Sequence, residues 1–127
     1  MLLKIKKYES IITKNRKIIK KIVQFKLSPL AKKQKVAFWG ANRIFDSLVK
    51  YGGLAKDDVF MLVDTHMHDK LDERNGFKID HPDYLRVKEP NVCVILARSS
   101  EEHLAKVAYE MGIRHILKYS EIFDQIT

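Results

Sequence analysis

Three short runs of uninterrupted apolar residues constrain the fold of this chain more than any other feature. The runs end at Trp39, Val63 and Ala97, and a glycine, an aspartate and a polar turn follow them in that order. A strand in a one-sided sheet alternates apolar and polar residues, whereas a strand covered by helices on both faces is apolar throughout. The runs therefore predict buried strands of a parallel sheet.

Segments with helical spacing and one more short strand complete this pattern. The predicted helices cover residues 43–51, 101–111 and 119–126, and the further strand covers residues 113–117. The segment 65–90 is too polar for a full crossover helix, so we expect a loop, an extended piece at 76–80 and a short helix that begins at Pro82. The prediction is an α/β fold with a reduced Rossmann-like open parallel sheet flanked by helices.

The charge distribution separates an N-terminal arm from this body. Residues 1–35 contain twelve lysines or arginines and one acid, for a net charge of +11, whereas the remainder has a net charge of −3. Apolar residues recur in the arm at three- and four-residue steps, as in an amphipathic helix. Because Pro29 disfavours helical geometry at Ser28, we expect this basic helix to end near Leu27. We therefore predict a basic amphipathic helix and linker at 1–34 and the Rossmann-like domain at 35–127.

Three interpretations of the basic helix remain open. Its apolar stripe can pack on the body or on another molecule, either a second copy or a partner enzyme, with the lysines in solvent. It can also bind the surface of an anionic membrane, or contact nucleic-acid phosphates. Nucleic acid is disfavoured because the arm offers only Tyr8 and Phe25 as aromatic residues and no cluster of arginines.

The cysteine content and the hydropathy indicate a cytoplasmic protein. Cys93 is the only cysteine, so an intramolecular disulfide and a zinc site of paired cysteines are excluded. No apolar stretch approaches the ~20 residues of a membrane-spanning helix, and lysines interrupt the first residues too early for a signal peptide. We expect a protein that is neither exported nor integral to a membrane, with the inner membrane surface as an alternative location for its helix.

Loops that follow the predicted strands supply the candidate binding residues. Gly40, Ala41 and Asn42 follow the first strand, and only the first glycine of the phosphate-binding pattern G-x-G-x-x-G is present. Asp64 lies 24 residues after Gly40, where an acid would accept hydrogen bonds from ribose hydroxyls. The alternative for Asp64 is a carboxylate that caps a turn or a helix. Both roles predict that Gly40 and Asp64 lie at the same edge of the sheet.

Other polar residues near the strand ends have weaker signals. Arg43 and Arg98 are candidates for pairing with phosphate oxygens. Ser99 is a phosphate ligand in one interpretation and the first residue of a helix-capping box with Glu102 in the other. The sequence His66-Met-His68 is more typical of a polar surface loop than of a zinc site. We therefore predict no metal site and no identifiable catalytic residues, and we expect Cys93 to be a core residue.

The body resembles small Rossmann-like domains attached to enzymes that modify nucleotide sugars. The resemblance covers about residues 35–123 and rests on short segments: Val-Ala-Phe-Trp-Gly40-Ala-Asn-Arg, Leu-Val-Asp64, Val94-Ile-Leu-Ala97 and Met111-Gly-Ile. Similar patterns occur in the C-terminal domain of sugar C-methyltransferases and the N-terminal domain of bacterial sugar acyltransferases. The resemblance implies that Gly40, Ala41, Asn42 and Asp64 contact a nucleotide or nucleotide sugar. The catalytic domains of both enzyme families are absent from this sequence.

Three classes of function follow from these observations. The first is a non-catalytic module that binds NAD, another nucleotide or a nucleotide sugar for enzymes of surface-polysaccharide synthesis or sugar modification. The second is an assembly or oligomerisation domain without a small-molecule ligand. The third is a small enzyme dependent on NAD or S-adenosylmethionine, which needs an acid or base that the loops do not supply. The similar domains are all parts of longer proteins, so this chain is also a candidate fragment of a larger enzyme.

Overall fold

A computed structural model describes the backbone from residue 2 to residue 124, and the side chains of residue 11 and of residues 13–124. The helices are α1 (Leu2–Ile22), α2 (Ser28–Lys33), α3 (Arg43–Lys50), α4 (Tyr84–Lys88), α5 (Glu101–Glu110) and α6 (Tyr119–Phe123). The strands are β1 (Val36–Trp39), β2 (Met61–Val63), β3 (Glu73–Arg74), β4 (Phe77–Asp80), β5 (Val92–Ile95) and β6 (His115–Leu117). The predicted terminal helix is present to Phe123, and its last residues lie outside the described part of the chain.

The strands form one mostly parallel sheet in the order β3-β4-β2-β1-β5-β6. Only β3 is antiparallel to its neighbour. From β1 the chain adds strands outward on one side, through β2 to β4, and then returns to place β5 on the other side of β1. This six-stranded α/β arrangement is consistent with a Rossmann-like open sheet, and it confirms the predicted α/β class.

The segment 65–90 contributes two strands to this sheet: the extended piece predicted at 76–80 forms β4, and β3 pairs with it although no strand was predicted there. Asn75 and Gly76 have φ angles of 54° and 82°, and they join β3 and β4 in a tight hairpin. Two residues with positive φ are what such a turn requires, and Asn-Gly is its strongest sequence signal. The predicted short helix forms as α4, although it begins at Tyr84 and not at Pro82.

Buried side chains fill both faces of the sheet. Phe38 and Leu62 point to the face that α3 covers, where Phe45 and Leu48 are fully buried. The opposite face, which α5 covers, packs Ala37 and Val63 against Ala108 and Leu85 of the helices. Burial on both sides explains why these strands are apolar at every position.

The predicted linker at 28–34 is wrong, because residues 28–33 are helical. A five-residue π-helical turn, Val23–Leu27, joins α1 directly to α2. Pro29 lies in the first turn of α2, where the absent N–H group has no intrahelical acceptor in any case. Proline therefore begins a second helix here and does not end the helical arm.

The end of the arm nearest the sheet belongs to the hydrophobic core. Ile19, Ile22, Val23 and Leu27 are buried in the same cluster as residues of β1 and α3. Lysines 14, 17, 20 and 21 of α1 are exposed. Of the predicted apolar stripe, the side chains of residues 2, 5, 8 and 12 lie outside the described set.

Candidate ligand-binding cavity at the carboxyl edge of the sheet

A cavity of about 450 Å³ opens beyond the carboxyl ends of β1, β2 and β5. The loops after these strands contribute Gly40, Asn42, Asp64 and Ala97 to its lining. Because β5 lies beside β1 while the preceding strands extend to the other side, the sheet order reverses here. In open α/β sheets, ligands bind in the crevice at such a reversal.

Gly40 makes the sharp turn out of β1. Its φ angle is 132°, a conformation that side chains rarely allow, and its N–H donates to the carbonyl of Val63 at 2.9 Å. A Cβ atom at this position would lie 3.1 Å from Cβ of Leu96. The glycine therefore permits the end of β5 to approach the loop after β1.

Asn42 closes the N-terminus of α3 with its own side chain. Oδ1 accepts from the backbone N–H groups of Ile44 and Phe45 at 3.0 and 3.2 Å. Nδ2 donates to the carbonyl of Leu96 at 3.2 Å and so connects the loops after β1 and β5. Two of the amide donors that a phosphate would use at this helix, those of Ile44 and Phe45, are therefore bonded to Asn42.

Asp64 lies at the same edge as Gly40 and binds the backbone of two loops. Oδ2 accepts from the N–H of Ala41 at 2.7 Å, and Oδ1 accepts from the N–H groups of His66 and Met67, each at 2.8 Å. A carboxylate offers about four acceptor positions. Asp64 therefore fixes the shape of the site and retains about one position on Oδ2 for a ligand hydroxyl.

The remaining lining combines an apolar wall with histidine rings. Leu104, Val107 and Met111 of the α5 segment form the wall. His81 also lines the cavity, and the backbone N–H of Asp83 donates to its Nδ1 at 3.0 Å. Among the described residues no lysine or arginine lines this cavity. Its chemistry suits the uncharged, partly apolar portion of a ligand better than a bare diphosphate.

The structure places the other candidate residues outside this lining. Arg43 and Arg98 are exposed, and the Arg98 guanidinium lies 5.7 Å from the centre of the Tyr119 ring. Ser99 does not line the cavity, but its neighbour Ser100 does. No side chain caps α5, so the predicted capping box does not form. Instead, Glu101 accepts from the backbone N–H of Ser120 at 2.8 Å.

Arg74 and Asp46 support the site, and sequence analysis did not identify them. The guanidinium of Arg74 binds both carboxylate oxygens of Asp46 at 2.7 and 2.6 Å, and it also donates to the carbonyl of Ala41 at 2.9 Å. Asn75 donates to the same carboxylate at 2.6 Å. The hydrogen bond from Arg74 holds the pKa of Asp46 below its usual value. The Asn75-Gly76 dipeptide is a sequence signal for the hairpin, but it does not indicate that the hairpin lies beside this loop.

Cys93 lies in the core, and His66 and His68 have different surroundings. Cys93 is fully buried in β5, and burial raises the pKa of its thiol to about 12, so it is a core residue as predicted. His66 lines the cavity, whereas His68 packs against His81 with the ring centres 4.4 Å apart. Within the described residues, no three histidine, cysteine or carboxylate side chains are grouped to hold a metal ion.

The sequence matches no protein-family model and no curated protein. Across the part of the chain that the structure describes, no helix is both long enough and apolar enough to cross a lipid bilayer.

Proposed function

We propose that this chain is a non-catalytic, Rossmann-like binding module that holds a nucleotide or a nucleotide sugar for enzymes of surface-polysaccharide synthesis or sugar modification. The observation that carries the proposal is the cavity at the sheet reversal, which the loops after β1, β2 and β5 build together. Asp64 supports the proposal because it follows β2 and lines the cavity, where an acid of a nucleotide-binding fold would accept from ribose hydroxyls.

The backbone N–H groups after β1 that already have acceptors determine how the ligand is oriented in this proposal. Asp64 and Asn42 already bind the amides of Ala41, Ile44 and Phe45, so in this proposal the diphosphate does not lie there. The nucleoside or sugar part occupies the cavity against the apolar wall of α5. The phosphates lie at the mouth of the cavity, beside Ser100, the N-cap residue of α5, whose side chain makes no capping hydrogen bond.

A thermal-shift panel with two neighbouring variants tests the proposal. The panel contains NAD, NADP, S-adenosylmethionine, coenzyme A and UDP-, GDP- and CDP-sugars. A ligand at ~100 times its dissociation constant stabilises the protein by about 2.7 kcal/mol, which raises Tm by several degrees. We expect Ser100→Trp to abolish the shift by filling the mouth, whereas Ser99→Trp leaves it intact because Ser99 does not line the cavity.

Two outcomes contradict this proposal. If no member of the panel shifts the Tm of the folded protein, the cavity does not bind nucleotides. If Ser99→Trp abolishes the shift and Ser100→Trp does not, the ligand binds elsewhere on the molecule.

An assembly domain without a ligand is the second candidate. The capped N-terminus of α3 favours it, because Asn42 occupies two of the donors that a phosphate would use. Two apolar side chains of the arm are also exposed: Ile11 is 37% exposed and Phe25 is 67% exposed. If these residues join two copies, Phe25→Ser lowers the sedimenting mass and the exposed neighbour Gln24→Ser does not. Co-sedimentation with anionic lipid vesicles separates the membrane alternative from self-association.

A further inference from the structure

A second cavity, of about 470 Å³, lies between β4, α4 and the loop that leads into β2. None of the described residues that line it also lines the cavity at the carboxyl edge. The second cavity exists because the crossover after β4 is short. Helix α4 has five residues, so it leaves Lys78 on the outer face of β4 exposed where a full crossover helix would cover the strand.

Positive charge dominates the lining of this second cavity. Lys56, Lys78 and Lys88 line it together with one carboxylate, Asp80. Lys78 lies 3.4 Å from Asp80, whereas Lys56 and Lys88 form no ion pair with any described residue. The nearby carboxylate of Asp58 accepts from the N–H of Ala55 at 2.9 Å. Two ammonium groups are therefore available to an anionic ligand.

Exposed aromatic rings border the same cavity. Phe60 is 39% exposed and Tyr84 is 49% exposed, although aromatic side chains of this size are usually more buried. The ammonium of Lys35 lies 5.2 Å from the centre of the Phe60 ring and adds a further positive charge at the rim. Flat apolar rings beside lysines match a ligand that carries both a planar ring and a negative group.

We propose that this second cavity binds a small phosphorylated ligand that carries an aromatic ring. Its volume lies within the range of ~300–1,000 Å³ that small-molecule sites occupy. The phosphate pairs with Lys56 and Lys88, and the ring packs between Phe60 and Tyr84. The second cavity is separate from the proposed nucleotide cavity, so this proposal does not depend on the proposed function.

Titration with phenyl phosphate, followed by amide chemical shifts, tests the proposal. We expect saturable shifts for the amides of Phe60, Gly76 and Tyr84, while the amide of Ser100 in the first cavity does not move. The double variant Lys56→Gln/Lys88→Gln weakens binding by about tenfold, because it removes two charge-assisted contacts. Methyl phosphate, which lacks the ring, binds at least about threefold more weakly than phenyl phosphate.

The matched control is Lys14→Gln/Lys17→Gln, which removes the same charge from exposed positions of α1. We expect it to bind phenyl phosphate as the parent protein does. Equal weakening in both double variants, or shifts spread over the lysines of α1 and α2, would show attraction to net charge only and overturn the proposal. Equal affinity for methyl phosphate, or no saturable shift at all, would also overturn it. A flat nucleotide panel together with saturable phenyl phosphate binding would contradict the proposed function alone.

Discussion

At the scale of single residues, Arg74 connects parts of the chain that are distant in sequence. Its guanidinium contacts Asp46 of α3 and the carbonyl of Ala41 after β1. It thereby holds the β3–β4 hairpin against the turn that shapes the candidate cavity. The side chains of Arg74 and Asp46 are 25% and 31% exposed, so solvent screens the pair only in part.

The Asp46 carboxylate makes stability depend on pH. Its pKa is lowered in the folded protein, so its contribution is complete above the unfolded value of about 4 and is lost as the pH falls through the folded value. We expect Asp46→Asn to reduce the free energy of unfolding by about 1 to 2 kcal/mol at pH 7. The difference between parent and variant shrinks below about pH 4, as measured by urea unfolding from pH 7 to pH 3.

Asp57→Asn, at an exposed position of the turn before β2, is the control. We expect it to leave the free energy of unfolding nearly unchanged. A difference between the parent and Asp46→Asn that stays constant from pH 7 to pH 3 would show that the charge of Asp46 contributes nothing to stability.

At the scale of elements, the helical arm is divided between solvent and core. The π-helical turn carries both environments within three residues: Leu27 is 1% exposed and Phe25 is 67% exposed. The buried positions pack against β1 and α3, while the lysines of α1 remain in water. The end of the arm is therefore part of the core of the body, although the charge distribution separates the two in the sequence.

Shortening the buried side chain of Leu27 is expected to destabilise the whole fold. Leu27→Ala removes a fully buried side chain from the core, and we expect a loss of about 3 kcal/mol in the free energy of unfolding. Phe25→Ala, two residues earlier and exposed, changes it by less than ~0.5 kcal/mol. Urea unfolding of both variants measures the contrast. Small effects from both would mean that the arm does not pack on the body.

At the scale of the whole molecule, the rate at which a reagent labels Cys93 measures whether the protein unfolds as one cooperative unit. It lies in β5, an interior strand, with no exposed surface and a pKa raised to about 12 by burial. Because the thiolate is the form that attacks Ellman's reagent, and burial disfavours the thiolate and excludes the reagent, labelling requires the sheet to open. We expect Ellman's reagent at pH 8 to label the native protein at least about a hundredfold more slowly than the urea-unfolded chain.

The same labelling experiment asks whether arm and body unfold together. If they form one cooperative unit, Leu27→Ala raises the labelling rate of Cys93 in the native protein along with its loss of stability. A Leu27→Ala variant that is less stable in urea but unchanged in labelling would show that the arm unfolds by itself. Cys93 is the only cysteine, so every labelling event reports on the opening of β5.

Local patterns decided the outline of the fold. Strands β1 and β5 were predictable because a segment buried on both faces must be apolar at each position, whatever its neighbours are. The glycine at position 40 was predictable as a turn, and Asp64 was correctly expected at the same edge of the sheet. In the segment from 65 to 90, the extended piece that forms β4 was predicted, whereas β3 was not, because its two residues are not buried and gain their place only by pairing with β4.

By itself, the sequence determined the α/β class, the glycine turn and the separation of charge, because each depends on residues close together in the chain. The tertiary structure alone decided which partners the polar side chains took. Asn42 bonds to the carbonyl of Leu96, and Arg74 bonds to Asp46. The two residues of each pair are far apart in the sequence, and no local pattern predicts that they meet. The tertiary structure also decided that Leu27, at the junction between the arm and α2, is buried, because its partners in the core come from distant parts of the sequence. A buried hydrogen bond is satisfied by whatever donor folding brings near, so its partner depends on the fold.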